Sequence, residues 1–174
     1  MRSLTVIAIL VSAVCGFWVA PVLADDGSET TSFTGVGPGV TQQVDHVDAD
    51  PWKGYFTVTA TNYSDGNWYD FHFGIKDIGW DPSNVDIIVA SPYEPTSSQS
   101  GLTWSVDNSD PEATIDLYFY SDPVLQNETA TFTIYTDNTV SKKNFGVCFW
   151  PTIPEPGTMS LLALAGLALL RRRG

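Results

Sequence analysis

Short runs of alternating apolar and polar residues dominate the chain from about residue 55 to residue 149. The run at 56–61, for example, reads Phe-Thr-Val-Thr-Ala-Thr. Successive side chains of a strand point to opposite faces of a sheet, so a period of two predicts strands with one buried face. In one run we expect Leu102, Trp104 and Val106 to share that buried face. The apolar series begin at Phe56, Tyr69, Val85, Leu102, Ile115, Ala130 and Phe145.

Turn-forming residues separate these runs, as in Ser64-Asp65-Gly66-Asn67. Asp, Asn, Gly and Pro supply the backbone angles and local hydrogen bonds that turns require. Seven or eight short strands at this spacing predict an all-β, two-sheet sandwich of the immunoglobulin-like class, although the Cys…Trp…Cys pattern of antibody domains is absent. We expect one β-sandwich domain at residues 40–152, after a flexible lead-in at 25–39 that is rich in Ser, Thr and Gly.

The composition of the chain argues against two classes of protein, disordered chains and nucleic-acid-binding proteins. Of 174 residues, 43% are hydrophobic and 13% aromatic, which is enough apolar surface to build a core and argues against disorder of the whole chain. The chain has 20 acidic and 8 basic residues, a net charge of −12. Such a surface would not neutralise phosphates, so the composition argues against a nucleic-acid partner.

The N-terminal residues 1–24 are typical of a secretory signal peptide. Arg2 supplies the positive start, and Leu4–Val14 form the apolar centre. Small and apolar residues then lead to a predicted cut by signal peptidase between Ala24 and Asp25. The alternative is that the segment is kept as a membrane anchor.

The C-terminal end combines a short apolar segment with a basic cluster. Met159–Leu170 are twelve residues without a charge. As a hydrophobic helix they would span about 18 Å, short of the roughly 30 Å core of a bilayer. Guanidinium groups are disfavoured in hydrocarbon, so we expect them on the cytoplasmic side with the domain outside, and their long stems relieve part of the length mismatch. The basic cluster is Arg171, Arg172 and Arg173.

Pro154, Glu155 and Pro156 precede this apolar segment and basic cluster. The three parts in this order resemble the PEP-CTERM protein-sorting signal of Gram-negative bacteria, over about the last 22 residues. The resemblance implies that these three residues are recognised by exosortase, a membrane-embedded transpeptidase-like enzyme, and that the protein is linked to exopolysaccharide and biofilm. The alternative is an ordinary C-terminal membrane anchor, whose helix begins after the prolines because a proline interrupts a helix.

These signals predict the location of the protein more sharply than its activity. We expect it to be exported, held transiently in the inner membrane by its C-terminal segment, and then placed at the cell surface or outside the cell. The expected role is that of a non-enzymatic surface or extracellular-matrix protein, whose domain contacts polysaccharide or copies of itself. The alternatives are a carbohydrate-binding module and a calcium-dependent adhesin.

Motifs of enzyme chemistry are missing from the sequence, which contains no His-Glu-x-x-His, no Gly-x-Ser-x-Gly and no Gly-rich phosphate loop. A catalytic imidazole would have to be His46 or His72. Alternation places His72 on the outward face of its strand, where a solvated histidine is the simpler interpretation, and His46 lies among acids in a predicted loop. Residue types alone leave a paired-carboxylate glycosidase open. We predict no catalytic residue.

Three carboxylates lie close together in the sequence at Asp45, Asp48 and Asp50. Hard oxygen ligands suit Ca²⁺, so these residues are the weak candidates for a metal site. The spacing lacks the glycine and the distal glutamate of an EF-hand loop. The simpler interpretation is that acids fill turns in an acidic exported protein, and no cofactor is required.

Aromatic residues offer the remaining hint of a ligand. Alternation turns Tyr118, Tyr120, Tyr135 and Trp150 away from the predicted core, where their rings could stack on sugars. They could equally pack under loops or along a sheet edge. After removal of the signal peptide Cys148 is the one remaining cysteine, so we expect it to be buried rather than to link two chains.

Overall fold

The structure, a computed structural model, describes residues 26–48, 50–77, 84–109 and 112–153. Its regular elements are ten strands and one 3-10 turn at Pro38–Val40. The predicted signal peptide and its cut, the Pro-Glu-Pro sequence, the apolar segment and the basic cluster lie outside the described residues. The strands are β1 (Gly27–Phe33), β2 (Gln42–His46), β3 (Lys53–Asn62), β4 (Asp70–Asp77), β5 (Asp86–Ile88), β6 (Thr96–Ser97), β7 (Thr103–Asp107), β8 (Thr114–Tyr118), β9 (Thr129–Asp137) and β10 (Phe145–Thr152).

The strands form two five-stranded sheets. In sheet I the order is β1-β3-β9, and both β5 and β6 pair with the far edge of β9. In sheet II the order is β2-β10-β4-β8-β7. All pairs are antiparallel except β1 with β3, which run parallel. Strands far apart in sequence therefore become neighbours, and each sheet is assembled from both halves of the chain.

The core lies between the two sheets, as the period of two predicts. In β3 the burial alternates along the whole strand, with Phe56, Val58 and Ala60 fully or almost fully buried. Phe71 of sheet II stacks on Phe132 of sheet I, with ring centroids 4.3 Å apart and planes 11° apart. Burial of such aromatic side chains contributes about 1.5–3 kcal/mol each, so these rows hold the sheets face to face. The all-β, two-sheet prediction is confirmed.

Ten strands replace the predicted seven or eight. One of the additional strands, β1, occupies much of the segment that we expected to be a flexible lead-in, and it pairs with β3 from Gly27↔Phe56 to Phe33↔Asn62. Its inward positions Glu29 and Thr31 are polar and only half-buried, so the sequence of the segment shows no apolar alternation. Backbone pairing and the buried ring of Phe33 hold it instead.

The expected burial of Trp104 is wrong. Its strand, β7, is the edge strand of sheet II, paired on one side with β8. Leu102 and Val106 pack partly against the core, whereas Trp104 is exposed. An edge strand has less of the opposite sheet to cover it, so alternation there does not ensure burial. Within the described part of the chain, no helix has the length and hydropathy to cross a membrane.

Candidate functional site

The outer face of sheet II carries a cluster of polar and aromatic side chains. Strand pairing aligns Trp150, His72 and Asp116 in one row across β10, β4 and β8. The same three strands align Thr152, Asp70 and Tyr118 in the next row. Their neighbours along each strand, such as Phe71, Phe149 and Leu117, are fully buried in the core. Because strand side chains alternate, both rows point outward and form what we call the sheet II cluster, which comprises Asp70, His72, Asp116, Tyr118, Trp150 and Thr152.

His72 lies at the centre of this cluster between two carboxylates. Its Nδ1 is 2.5 Å from Asp116 Oδ1, and its Nε2 is 3.5 Å from Asp70 Oδ1. The Thr152 hydroxyl donates a hydrogen bond to Asp70, and the Tyr118 hydroxyl donates one to Asp116 Oδ2 at 3.3 Å. Each carboxylate is thus held by two neighbours, and the cluster is a connected network rather than a set of free side chains.

The aromatic rings frame this network on two sides. The Trp150 indole is nearly parallel to the His72 imidazole, with centroids 5.2 Å apart and planes 13° apart. It extends over Gly74, where an added Cβ would lie 3.7 Å from the indole ring. On the other side Tyr118 stacks with the exposed Tyr120, with centroids 5.8 Å apart. The cluster therefore combines flat rings with hydrogen-bonding groups on one face.

The charges in the cluster favour a protonated imidazole. Burial by itself lowers the pKa of His72, but hydrogen bonds to Asp70 and Asp116 and their negative charges outweigh it, so the pKa is raised above its ordinary value. Burial and the neighbouring Asp116 charge raise the pKa of the Tyr118 hydroxyl, which stays neutral. The imidazolium directs both of its N–H groups at these carboxylates, so the carboxylate oxygens are the groups that can accept hydrogen bonds from hydroxyl groups of a ligand.

One arrangement within the cluster resembles a catalytic triad in composition. Asp116, His72 and the Thr152 hydroxyl follow one another, with His72 Nε2 3.4 Å from Thr152 Oγ1. The Thr152 proton, however, is donated to Asp70. A raised pKa also disfavours the neutral imidazole that a general base must be. The geometry thus suits hydrogen bonding better than activation of a nucleophile.

The last residue of this cluster is also where a known motif begins. Residues 152–173 match the PEP-CTERM protein-sorting motif. The resemblance seen in the sequence is thereby confirmed. The motif implies an exported, extracellular protein that exosortase recognises and sorts, with a membrane-anchoring tail that exosortase processes. No curated protein and no solved structure matches the chain.

The Pro-Glu-Pro sequence of this motif follows the sandwich almost without a spacer. Strand β10 ends at Thr152, and only Ile153 separates it from Pro154. Strand β10 pairs with β4 as far as Thr152, so the Pro-Glu-Pro sequence is attached to a strand that is paired up to its last residue.

Both histidine predictions need correction. His72 does point outward, but only 14% of its side chain is exposed and it is held by Asp70 and Asp116 rather than solvated. His46 lies at the end of β2, not in a loop, and is buried with its ring edge-on to Phe56 and Phe145. Alternation identifies the face of a strand but not the cross-strand partners that cover a side chain.

The three acids proposed as metal ligands have different surroundings. Asp48 is fully buried and accepts hydrogen bonds from His46 Nε2 at 3.0 Å and from Thr136 Oγ1 at 2.9 Å. Asp45 and Asp50 are exposed. In the described ranges, no group of three His, Cys, Asp or Glu side chains is placed to hold a metal ion.

Cys148 is buried, as predicted. Its thiol lies on the outer side of β10 and donates a hydrogen bond to Gln43 Oε1 at 3.4 Å. Burial raises the pKa of this thiol, which keeps it protonated and unreactive. A link between two chains through Cys148 would require the thiol to leave this position.

Proposed function

We propose that the protein is a non-enzymatic surface or matrix protein whose sandwich binds a saccharide through the sheet II cluster. The observation that carries this proposal is the placement of Trp150 and Tyr118 on either side of a hydrogen-bonded His72–Asp116 pair. Flat rings offer apolar surface to the faces of a sugar, and carboxylates accept hydrogen bonds from its hydroxyl groups. A polysaccharide of the extracellular matrix is the ligand that a sorted protein of this kind would meet.

The charge of the domain narrows the class of saccharide. Residues 25–156 hold all 20 acidic residues and four lysines, a net charge of −16. In the cluster, His72 offsets only one of the two carboxylates, Asp70 and Asp116. An acidic surface repels anionic polymers, most strongly at low salt. We therefore propose an uncharged polysaccharide, or one with amino sugars, as the ligand.

Binding of the protein to a glycan array tests this function. We expect binding to uncharged or amino-sugar glycans, and its loss in Trp150→Ala and Tyr118→Ala. The matched control is Tyr135→Ala, which removes a half-buried tyrosine from the outer face of the opposite sheet. Equal loss in all three variants, or no binding to any polysaccharide, would count against the sheet II cluster as a sugar site.

We also propose that the domain is not a catalyst. The support is the bond from Thr152 to Asp70 and the protonated state favoured for His72, which leave the cluster without an activated nucleophile or a free base. Turnover of any member of a panel of glycans and peptides would refute this proposal.

Two further proposals complete the assignment. The non-sequential neighbours β3-β9 and β2-β10-β4 support an immunoglobulin-like connectivity, which an experimental strand order would check.

We propose that signal peptidase cuts between Ala24 and Asp25 and that the processed protein resides at the cell surface or in a biofilm matrix. Mass spectrometry of both ends of the mature chain, together with fractionation of cells and medium, tests this location.

A further inference from the structure

The end of the sandwich from which the sorting motif leaves has a surface of its own. It comprises the loop 63–69, the loop 119–128 and Ile153, and we call it the tail end. Ile153 packs on Gly66 so closely that an added Cβ there would lie 2.4 Å from Ile153 Cδ1. The last described residue is therefore seated on this end of the fold rather than projecting away from it.

Buried hydrogen bonds hold the two loops of the tail end together. The side chain of Asn62 donates to the carbonyl oxygens of Gly66 at 2.8 Å and Val124 at 3.0 Å. Its own oxygen accepts from the Ser64 hydroxyl, which in turn accepts from the Trp68 indole nitrogen at 3.1 Å. These buried groups are all partnered, so the surface that the loops carry is well fixed.

Large apolar side chains are exposed on this fixed surface. Tyr63 is 53% exposed, Leu125 44% and Tyr120 60%. At the opposite end, in the loop that connects β9 to β10, Val140 is 72% exposed. Tyrosine and leucine together suit a boundary between water and an apolar phase, because the phenol hydroxyl can stay in water while the ring and the leucine side chain are buried.

The sequence keeps this surface near the bilayer while the tail is inserted. Met159, where the apolar segment begins, is six residues beyond Ile153. Six residues span at most about 20 Å when fully extended, so the tail end cannot move far from the headgroups. A short tether raises the effective concentration of the surface at the membrane to the order of millimolar, and a weak apolar contact is then sufficient.

We propose that the tail end rests in the interfacial layer of the bilayer through Tyr63, Tyr120 and Leu125 before the tail is cut. This proposal rests on the membrane-anchoring tail of the PEP-CTERM motif. Asp65 and Glu128 are exposed on the same end, so the contact favours a zwitterionic over an anionic lipid surface. The contact would hold the start of the sorting motif beside the interface, where a membrane-embedded enzyme can reach it.

Spin labels on the precursor without its proposed signal peptide, residues 25–174, in phosphatidylcholine vesicles test the contact, because residues 1–24 would otherwise bind the vesicles by themselves. The variants Tyr63→Cys and Leu125→Cys report on the tail end, and Val140→Cys is the matched control. This chain lacks Cys15, and buried Cys148 is protected from the label. We expect labels at 63 and 125 to collide with oxygen several-fold more than with an aqueous nickel chelate, and the label at 140 to show the reverse. Anionic lipid should weaken the contrast.

Two results would overturn the proposal in distinguishable ways. Chains that float with the vesicles but carry labels at 63 and 125 as water-accessible as the label at 140 would refute the contact and leave the anchor intact. Chains that do not float with the vesicles would refute the anchoring itself. Near-UV circular dichroism of each labelled chain confirms that the fold is retained.

Discussion

Replacing the buried carboxylate of Asp48 should cost more stability than any change to the exposed acids around it. Asp48 Oδ1 lies 3.0 Å from His46 Nε2, and the Thr136 hydroxyl donates to the same carboxylate. Both the imidazole and the carboxylate are buried. In Asp48→Ala the Thr136 hydroxyl can still donate to the Gly54 carbonyl at 3.2 Å, whereas the imidazole loses its hydrogen bond to the carboxylate.

The size of the loss follows from this burial. Leaving one partner of a buried hydrogen bond unsatisfied typically costs about 1–3 kcal/mol of unfolding free energy, compared with about 0–1 kcal/mol for an exposed pair such as Lys76–Glu112. A domain of this size has about 5–15 kcal/mol in total. We therefore expect Asp48→Ala to lower the melting temperature by roughly 5–15 °C.

Thermal unfolding of the purified chain, followed by near-UV circular dichroism, measures this effect. Asp45→Ala is the matched control, because it removes an exposed carboxylate three residues earlier and should change the unfolding free energy by less than about 0.5 kcal/mol. Asp48→Asn keeps the shape and removes the charge, so it should fall between the two. If Asp48→Ala melted within a degree or two of Asp45→Ala, the buried pair would not be a feature of the fold.

Three other outcomes are expected. Glu155→Ala, or deletion of Arg171–Arg173, should leave the precursor unprocessed in the inner membrane, as mass spectrometry of its C-terminus would show. The pKa of His72 is raised in the folded state, so the stabilisation from this histidine is fully present below about pH 6.5 and is lost as the pH rises through its folded-state pKa. The melting temperature should fall over that pH range, and Asp116→Asn should make the fall smaller. Calcium should not raise the melting temperature, because the Asp48 oxygens already accept hydrogen bonds from His46 and Thr136.

Apolar alternation was sufficient to predict the class of the fold and most of its buried rows. It works for β3 and β9, where every second residue is buried over the whole strand. It fails for β1, whose inward positions are mostly polar, because backbone pairing with β3 and the single ring of Phe33 replace an apolar row. It also fails for the edge strand β7, where position in the sheet decides burial.

The sheet II cluster could be predicted only in part. Alternation correctly turned Trp150, Tyr118 and His72 outward. It could not show that these residues share two adjacent rows, because β10, β4 and β8 are neighbours in space and not in sequence. The partners of His72 depend on that register, and so does its pKa. A pattern within one strand contains no information about the register between strands.

Strand β10 links the PEP-CTERM motif to the sheet II cluster. It pairs with β4 along its whole length from Phe145 to Thr152 and with β2 from Phe145 to Phe149. A pull on the tail would load these ladders along the strand direction, so many backbone hydrogen bonds would have to break together before the strand could leave. Because Trp150 and Thr152 lie on the same strand, a tail cut beyond residue 153 would leave the sheet II cluster intact, whereas a cut within β10 would destroy it.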